Sequence, residues 1–293
     1  MPDRPQVEAF FDSVTSTFSY LVLDPATGDC ALIDSVLDYE PRSARTGTES
    51  ADRLAARVRE LGATVRWILD THVHADHLSA ALYLKGEVGG QVGIGQGVCQ
   101  VQAVFAHWFD LGRYPAGSGQ PFDLLLDDGA TLALGNLALR VLHTPGHTPA
   151  CVTYVLEVGG EPCAAFVGDT LFSPDYGTAR CDFPGGDAGQ LYRSIQRILA
   201  LPPATALYLC HDYQPEGRPL QWVHSVAEHR QANLHVHEGS DEASFVAMRK
   251  ARDAGLELPL LMLPAVQLNL HAGQLPAAEA GGVRYLKIPM NVF

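Results

Sequence analysis

Residues 71–77 read Thr-His-Val-His-Ala-Asp-His, which places three imidazoles and a carboxylate within six positions. With 12 histidines in 293 residues, an H-x-H-x-D-H string arises by chance in roughly one such chain in a thousand, so the spacing carries information. Buried without a cation these groups are expensive, whereas around a metal ion they are ligands. A strand ending in a loop can converge His72 and His74 on one ion, with Asp76 and His77 aimed at a neighbouring position. Three later residues extend the set. His147 stands in T-P-G-H-T-P, where Pro145 and Gly146 force a tight turn that aims an imidazole inward. Asp169 ends the apolar run A-A-F-V-G-D, and His211 ends A-L-Y-L-C-H-D. Each of the three alone is a weak signal; following the motif in this order, they point to a metal site. The spacing fits a two-zinc hydrolase, with Asp169 bridging and a metal-bound hydroxide attacking an ester or amide.

The elements that must position these residues are short β-rich runs alternating with amphipathic helices. Phe18 to Leu23 and Cys30 to Ile33 read as paired strands joined by the turn 24–28. Residues 49–61 put Leu54, Val58 and Leu61 on one helical face, with Gly62 as the stop. Val65 to Leu69 reads as a buried strand that runs into the histidine motif. Asp187 and Gln190 fit a capping box opening a helix through Leu191, Ile195, Ile198 and Leu199, and a strand from Ala206 to Leu209 leads to His211. Both halves thus present metal-capable residues past the C-terminal ends of strands, where open α/β sheets place ligands. Segments 40–48 and 112–121, rich in Gly, Pro and Ser, read as surface loops. The chain reads as one domain over 1–293, with a core over about 10–235 and a C-terminal helical and extended cap over about 236–293.

The formal charge of −13 argues against nucleic-acid and anionic-membrane partners, which select basic surfaces. An anionic small ligand would therefore need a local cationic pocket. The six cysteines form no C-x-x-C, so neither a thioredoxin-type pair nor a zinc ribbon is expected. No apolar run reaches the ~18 residues of a membrane span, and the opening M-P-D-R-P-Q-V-E does not read as a signal peptide. The expectation is a cytoplasmic enzyme with reduced thiols.

The string T-H-V-H-A-D-H-L-S-A-A, together with S-Y-L-V-L-D, T-P-G-H-T-P-A-C-V-T-Y, V-G-D-T-L-F, A-R-C-D-F and H-D-Y, resembles the persulfide dioxygenases of the metallo-β-lactamase superfamily. The likeness runs from about residue 10 to about 235. The tail motifs L-P-A-V-Q-L-N and R-Y-L-K-I-P are similar to a longer bacterial branch. The resemblance implies a four-layer αββα sandwich of α/β class with the site at one edge. It also implies one Fe(II) per chain held by His72, His147 and Asp169, a two-histidine, one-carboxylate set that leaves adjacent positions open. His74, Asp76, His77 and His211 then orient those ligands, or hold a second ion if the site takes two Zn. The implied reaction consumes O₂ and converts glutathione persulfide to sulfite and glutathione. The alternative is a binuclear zinc hydrolase of a thioester, of the hydroxyacylglutathione type, or of a lactam. Leu78-Ser79-Ala80-Ala81, where such hydrolases usually carry a glycine, and the ending I-P-M-N-V-F, where they carry a basic signature, favour the dioxygenase.

The resemblance sets Arg180, in A-R-C-D-F, beside the thiol substrate. Arg218 is a second candidate cation, and Tyr176 and Tyr213 are candidate substrate contacts. The expected partners are a small thiol persulfide and O₂, and a homodimer is compatible with the sequence. Asp34 stands where it can buttress the metal loops, with Ser35 departing from the aspartate-proline frequent in the family. The His235-x-His237 pair, the Gly93–Gly97 run and Cys210 read as structural.

Overall fold

The computed structural model describes residues 4–109 and 114–292; Met1–Asp3 at the start, and the first two residues of the 112–121 segment, lie outside them. Strands β1 (Gln6–Asp12), β2 (Thr17–Leu23) and β3 (Asp29–Ile33) form an antiparallel meander. The turn between β2 and β3 is held by Asp24, whose carboxylate accepts from Ala26 N and Thr27 Oγ1. A hairpin follows, β4 (Val36–Glu40) and β5 (Arg45–Gly47). The 40–48 segment is therefore not purely loop: its Gly/Ser-rich stretch is the turn and return strand of a hairpin, ordered by Glu40 accepting from the Arg42 and Ser43 amides. Helix α1 (Glu49–Leu61) ends on Gly62 in the left-handed region at φ 61°, as the sequence predicts.

Strand β6 (Thr64–Leu69), the short β7 (Leu78–Ser79), α2 (Ala81–Val88), β8 (Gln91–Gly95), α3 (Val98–Phe105) and β9 (Leu124–Leu126) complete the first half. The second half comprises β10 (Thr131–Leu134), β11 (Leu137–His143), β12 (Val152–Val158), β13 (Glu161–Phe166), α4 (Ala188–Leu199), β14 (Ala206–Tyr208), β15 (Val223–Ser225), α5 (Val226–Ala232), α6 (Glu242–Asp253) and α7 (Met262–Asn269). Two six-stranded sheets result, ordered β1-β2-β3-β6-β8-β9 and β10-β11-β12-β13-β14-β15. The Gly93–Gly97 run is the passage from β8 into α3.

Strand periodicity sorts the core into layers. Phe18, Tyr20 and Val22 of β2 and Ala31 and Ile33 of β3 face Val152, Tyr154, Leu156, Ala164 and Phe166 of the second sheet. The alternate residues Leu21, Leu23, Cys30 and Leu32 face outward onto α1, α2, α3 and α7. On the far side Val155, Ala165 and Leu207 face α4, α5 and α6. This is the expected αββα sandwich. The C-terminal segment divides between its two outer layers: Phe245 of α6 packs beside α4, whereas Met262, Ala265 and Val266 of α7 join the cluster over the first sheet. Among the described residues, no helix is long and apolar enough to cross a membrane.

Candidate metal centre

The histidine motif leaves the end of β6 and is templated by Asp34 at the end of β3. Asp34 holds φ at 50°, and its carboxylate accepts from Thr71 N at 2.7 Å and from Thr71 Oγ1 at 3.0 Å. It also lies 3.0 Å from His74 Nε2. Because the Thr71 hydroxyl donates to Asp34, its oxygen is free to accept from His72 Nδ1 at 3.0 Å, which leaves the His72 Nε2 lone pair open. His74, donating through Nε2, keeps Nδ1 open in the same way.

His147 follows β11 through a turn that only glycine permits. Gly146 has φ +142°, and a Cβ there would lie 2.3 Å from the Leu191 backbone of α4. His147 Nδ1 donates to Arg180 O at 2.7 Å, so Nε2 faces the site, 3.8 Å from Asp169 Oδ2. Asp169 leaves β13 through Gly168, whose absent Cβ would meet Thr71 Oγ1 at 2.5 Å; that contact draws the two loops together. His211 comes in after β14 and hydrogen-bonds Ser16 O through Nδ1 at 3.2 Å.

The seven residues converge. The donor atoms of His72, His147 and Asp169 form one group within 4.8 Å, those of His74, Asp76 and His77 form another, and Asp169 and His211 group with Cys210. Asp169 divides its oxygens, Oδ2 lying 3.9 Å from His72 Nε2 and Oδ1 lying 3.3 Å from His211 Nε2. The Nε2 atoms of His72, His77 and His211, His74 Nδ1 and Asp169 Oδ1 are buried and make no hydrogen bond. His211 Nε2 and Asp169 Oδ1 face each other at 3.3 Å, whereas the open nitrogens of His72, His74 and His77 are accounted for by a cation. Burial pushes His72 and His77 below the usual imidazole range, whereas at His74 the Asp34 carboxylate outweighs burial and raises it. Burial raises Asp169, but the imidazoles of His211, His72 and His147, His211 foremost, hold it well below the usual carboxylate range. Neutral histidine and ionised aspartate are the states a ligand set needs. Burial alone would lower His211, yet Asp76 and Asp169 raise it to about 10.

Of the four substrate candidates, the two arginines have their guanidinium groups already engaged, and the two tyrosines contribute ring contacts beside His211. Arg180 grips Asp182 through Nε and Nη2, both at 2.6 Å, and donates Nη1 to Glu257 O; what it gives the site is its carbonyl, on His147. Arg218 binds Asp212 at 2.8 Å through both Nη atoms, as well as Asp175 and Ser173 Oγ. It thereby ties the loop after Asp169 to the loop after His211. Tyr213 stacks on His211 with centroids 5.6 Å apart and lies 4.9 Å from Tyr176; both also touch Phe172. These rings form a half-exposed aromatic rim. Cys210 is buried with its thiol pushed well above its ordinary value, first by burial and then by Asp34, so it is no nucleophile. His235 accepts from Thr178 N and stands apart from the centre.

Sequence reading did not single out Thr17, Thr71 or Asn269. Thr17 Oγ1 lies 3.3 Å from His211 Nδ1. Thr71 stands inside the motif, where its hydroxyl is the one available link from Asp34 to His72. Asn269 closes the tail motif L-P-A-V-Q-L-N, but its role was not readable there because its partners lie about 190 positions earlier in the chain.

A sandwich of two sheets with a histidine-rich centre at the strand ends defines the class: the chain belongs to the metallo-β-lactamase superfamily, whose profile matches residues 12–211. Within it, the chain is 62% identical to a probable metallo-hydrolase of Burkholderia pseudomallei (strain 1710b), over 97% of this chain and 99% of that one. It is 33% identical to the mitochondrial persulfide dioxygenase ETHE1 of Homo sapiens, over 69% of this chain and 66% of that one. The crystal structure of ETHE1 from Myxococcus xanthus superposes with a TM-score of 0.72 at 31% identity, over 92% of this chain and all of that one.

Proposed function

We propose that the chain is an Fe(II)-dependent persulfide dioxygenase that takes glutathione persulfide, O₂ and water to glutathione, sulfite and two protons. The observation that carries this reading is the His72–His147–Asp169 group, two open imidazole nitrogens and one carboxylate oxygen on a single face, combined with likeness to ETHE1 over the whole length of the Myxococcus xanthus structure. Iron bound there supplies open positions at which a sulfur ligand and O₂ can meet. The chain's own groups supply the rest. Thr71 and the Arg180 carbonyl fix the tautomers of His72 and His147, and Asp169 keeps one oxygen on each side of the centre. His211 Nε2, 3.1 Å from Asp76 Oδ2 and 3.3 Å from Asp169 Oδ1, holds these two carboxylates in place beside the triad. The rim of Phe172, Tyr176 and Tyr213 covers the mouth with rings that fit an apolar thiol stem.

A second reading, a two-zinc thioester hydrolase, is favoured by the intact His74–Asp76–His77 group and by the Burkholderia pseudomallei relative, described as a probable metallo-hydrolase. Metal analysis of the purified protein with an oxygen electrode separates them. One iron per chain and one O₂ consumed per sulfite formed from glutathione persulfide is the expected result; two zinc ions, thioester cleavage and no oxygen uptake would overturn it.

A further inference from the structure

The superfamily profile ends at His211, yet a buried side chain 58 positions later holds the histidine motif. Asn269, at the end of α7, donates to His74 O at 2.8 Å and to His77 O at 2.7 Å, and accepts from Ser79 N at 2.7 Å. Two carbonyls and one N–H around the amide fix its orientation without ambiguity. The following residues tighten the same contact. Ala272, in the left-handed region at φ 54°, accepts from Leu82 N through its carbonyl. Gly273 approaches so closely that a Cβ there would lie 1.8 Å from Ser79 O. The segment is itself anchored, since buried Gln102 of α3 donates to Leu270 O at 2.8 Å.

We propose that residues 269–273 are a positioning clamp for the metal loop, with Asn269 setting the directions of His74 and His77 through their backbone carbonyls. The loop from Asp70 to His77 has no strand or helix ladder of its own, so its carbonyls need a donor, and the donor chosen fixes the path of the chain. His74 and His77 point their open nitrogens into the centre from the two residues whose carbonyls Asn269 holds. The clamp is thus a positioning element for the second group of ligands, reached through the backbone. The inference rests on the site being a metal centre: with one ion, His74, whose ring lies 4.1 Å from that of His72, orients a ligand, and with two ions His74 and His77 are ligands themselves.

Two measurements test it, neither using substrate. Co(II), whose visible absorption reports ligand geometry, is titrated into Asn269→Ala and into Gln267→Ala, a variant of the same helix whose side chain contacts Leu263 O and Lys287 N instead. Asn269→Ala is expected to bind Co(II) about 10- to 100-fold more weakly, the usual effect of losing an outer partner, with a shifted spectrum; Gln267→Ala should match the unaltered protein. In the unaltered protein, loading Co(II) should slow hydrogen exchange over 266–273 as well as over 70–79, because coupling between two sites is reciprocal. Wild-type affinity and spectrum in Asn269→Ala, or protection confined to 70–79, would overturn the proposal. Should Asn269→Ala not fold, the exchange measurement decides alone.

Discussion

The ligand nitrogens of His72, His74 and His147 are open because each ring's other nitrogen is occupied, and the occupants are ordinary groups. Thr71 serves His72, Asp34 serves His74, the Arg180 carbonyl serves His147 and the Ser16 carbonyl serves His211. Removing an occupant should weaken the metal without removing a ligand. Thr71→Val keeps the side-chain shape but deletes the hydroxyl that relays between Asp34 and His72, freeing that ring to turn or change tautomer. Metal affinity should fall about 10- to 100-fold, read by competition with a chelator, while the thermal midpoint of the metal-free protein drops by only a few degrees. An unchanged affinity would mean that His72 is oriented by packing alone.

At the scale of elements, the ligands sit where strands stop and the next element begins, and there the backbone carries the constraint. The Pro145–Gly146 turn can deliver His147 only because Gly146 lies against the first turns of α4, its amide and carbonyl bonded to Thr148 O and Asp187 N. Gly146→Ala forces a Cβ into the Leu191 backbone and a side chain into a region of φ that L-residues avoid. The expected outcome is loss of several kcal/mol of stability and metal occupancy well below one equivalent, checked by calorimetry and metal analysis; normal occupancy would show that the turn does not set His147. This level of organisation was legible in the sequence, since a strand, its turn residues and the ligand after it lie within about ten positions. Helix α1 with its Gly62 stop and the paired β2 and β3 were legible for the same reason. The partners of Arg180 and Arg218 were legible only in part: Asp182 and Asp212 lie two and six positions away, whereas Asp175 and Glu257 are brought in by the fold from far along the chain. The capping signal at Asp187 proved half right: its side chain accepts from Gln190 N, while the reciprocal box forms at Ser225 and Glu228.

For the whole molecule, charge and burial set how stability responds to acid. The net charge of −13 is partly local, since Asp34, Asp76 and Asp169 belong to a centre whose cation offsets them. Away from the centre, the fold favours the neutral form of two histidines, buried His229 and part-buried His235. Burial, then the neighbouring His224, lowers His229 to about 3; burial, then Arg249 and Arg252, lowers His235 to about 4. An unfolded histidine titrates near 6.5, so below that pH the unfolded chain binds protons that the folded chain refuses, and stability falls as the pH drops. The window opens near 6.5 and closes as the two groups charge near 4 and 3. Within it the pair contributes a slope of at most about 2.7 kcal/mol per pH unit, two protons' worth. Metal ligands released on unfolding add to the slope with the same sign, so a variant is needed to isolate the pair. His229→Leu preserves an apolar filling of that site and removes one titration. Urea unfolding of the metal-loaded protein between pH 6 and 4.5 should then show a slope shallower by about 1.4 kcal/mol per unit, whatever the variant does to stability at neutral pH. Parallel curves for the two proteins would mean that His229 takes up its proton in the folded state and that its pocket is open to water.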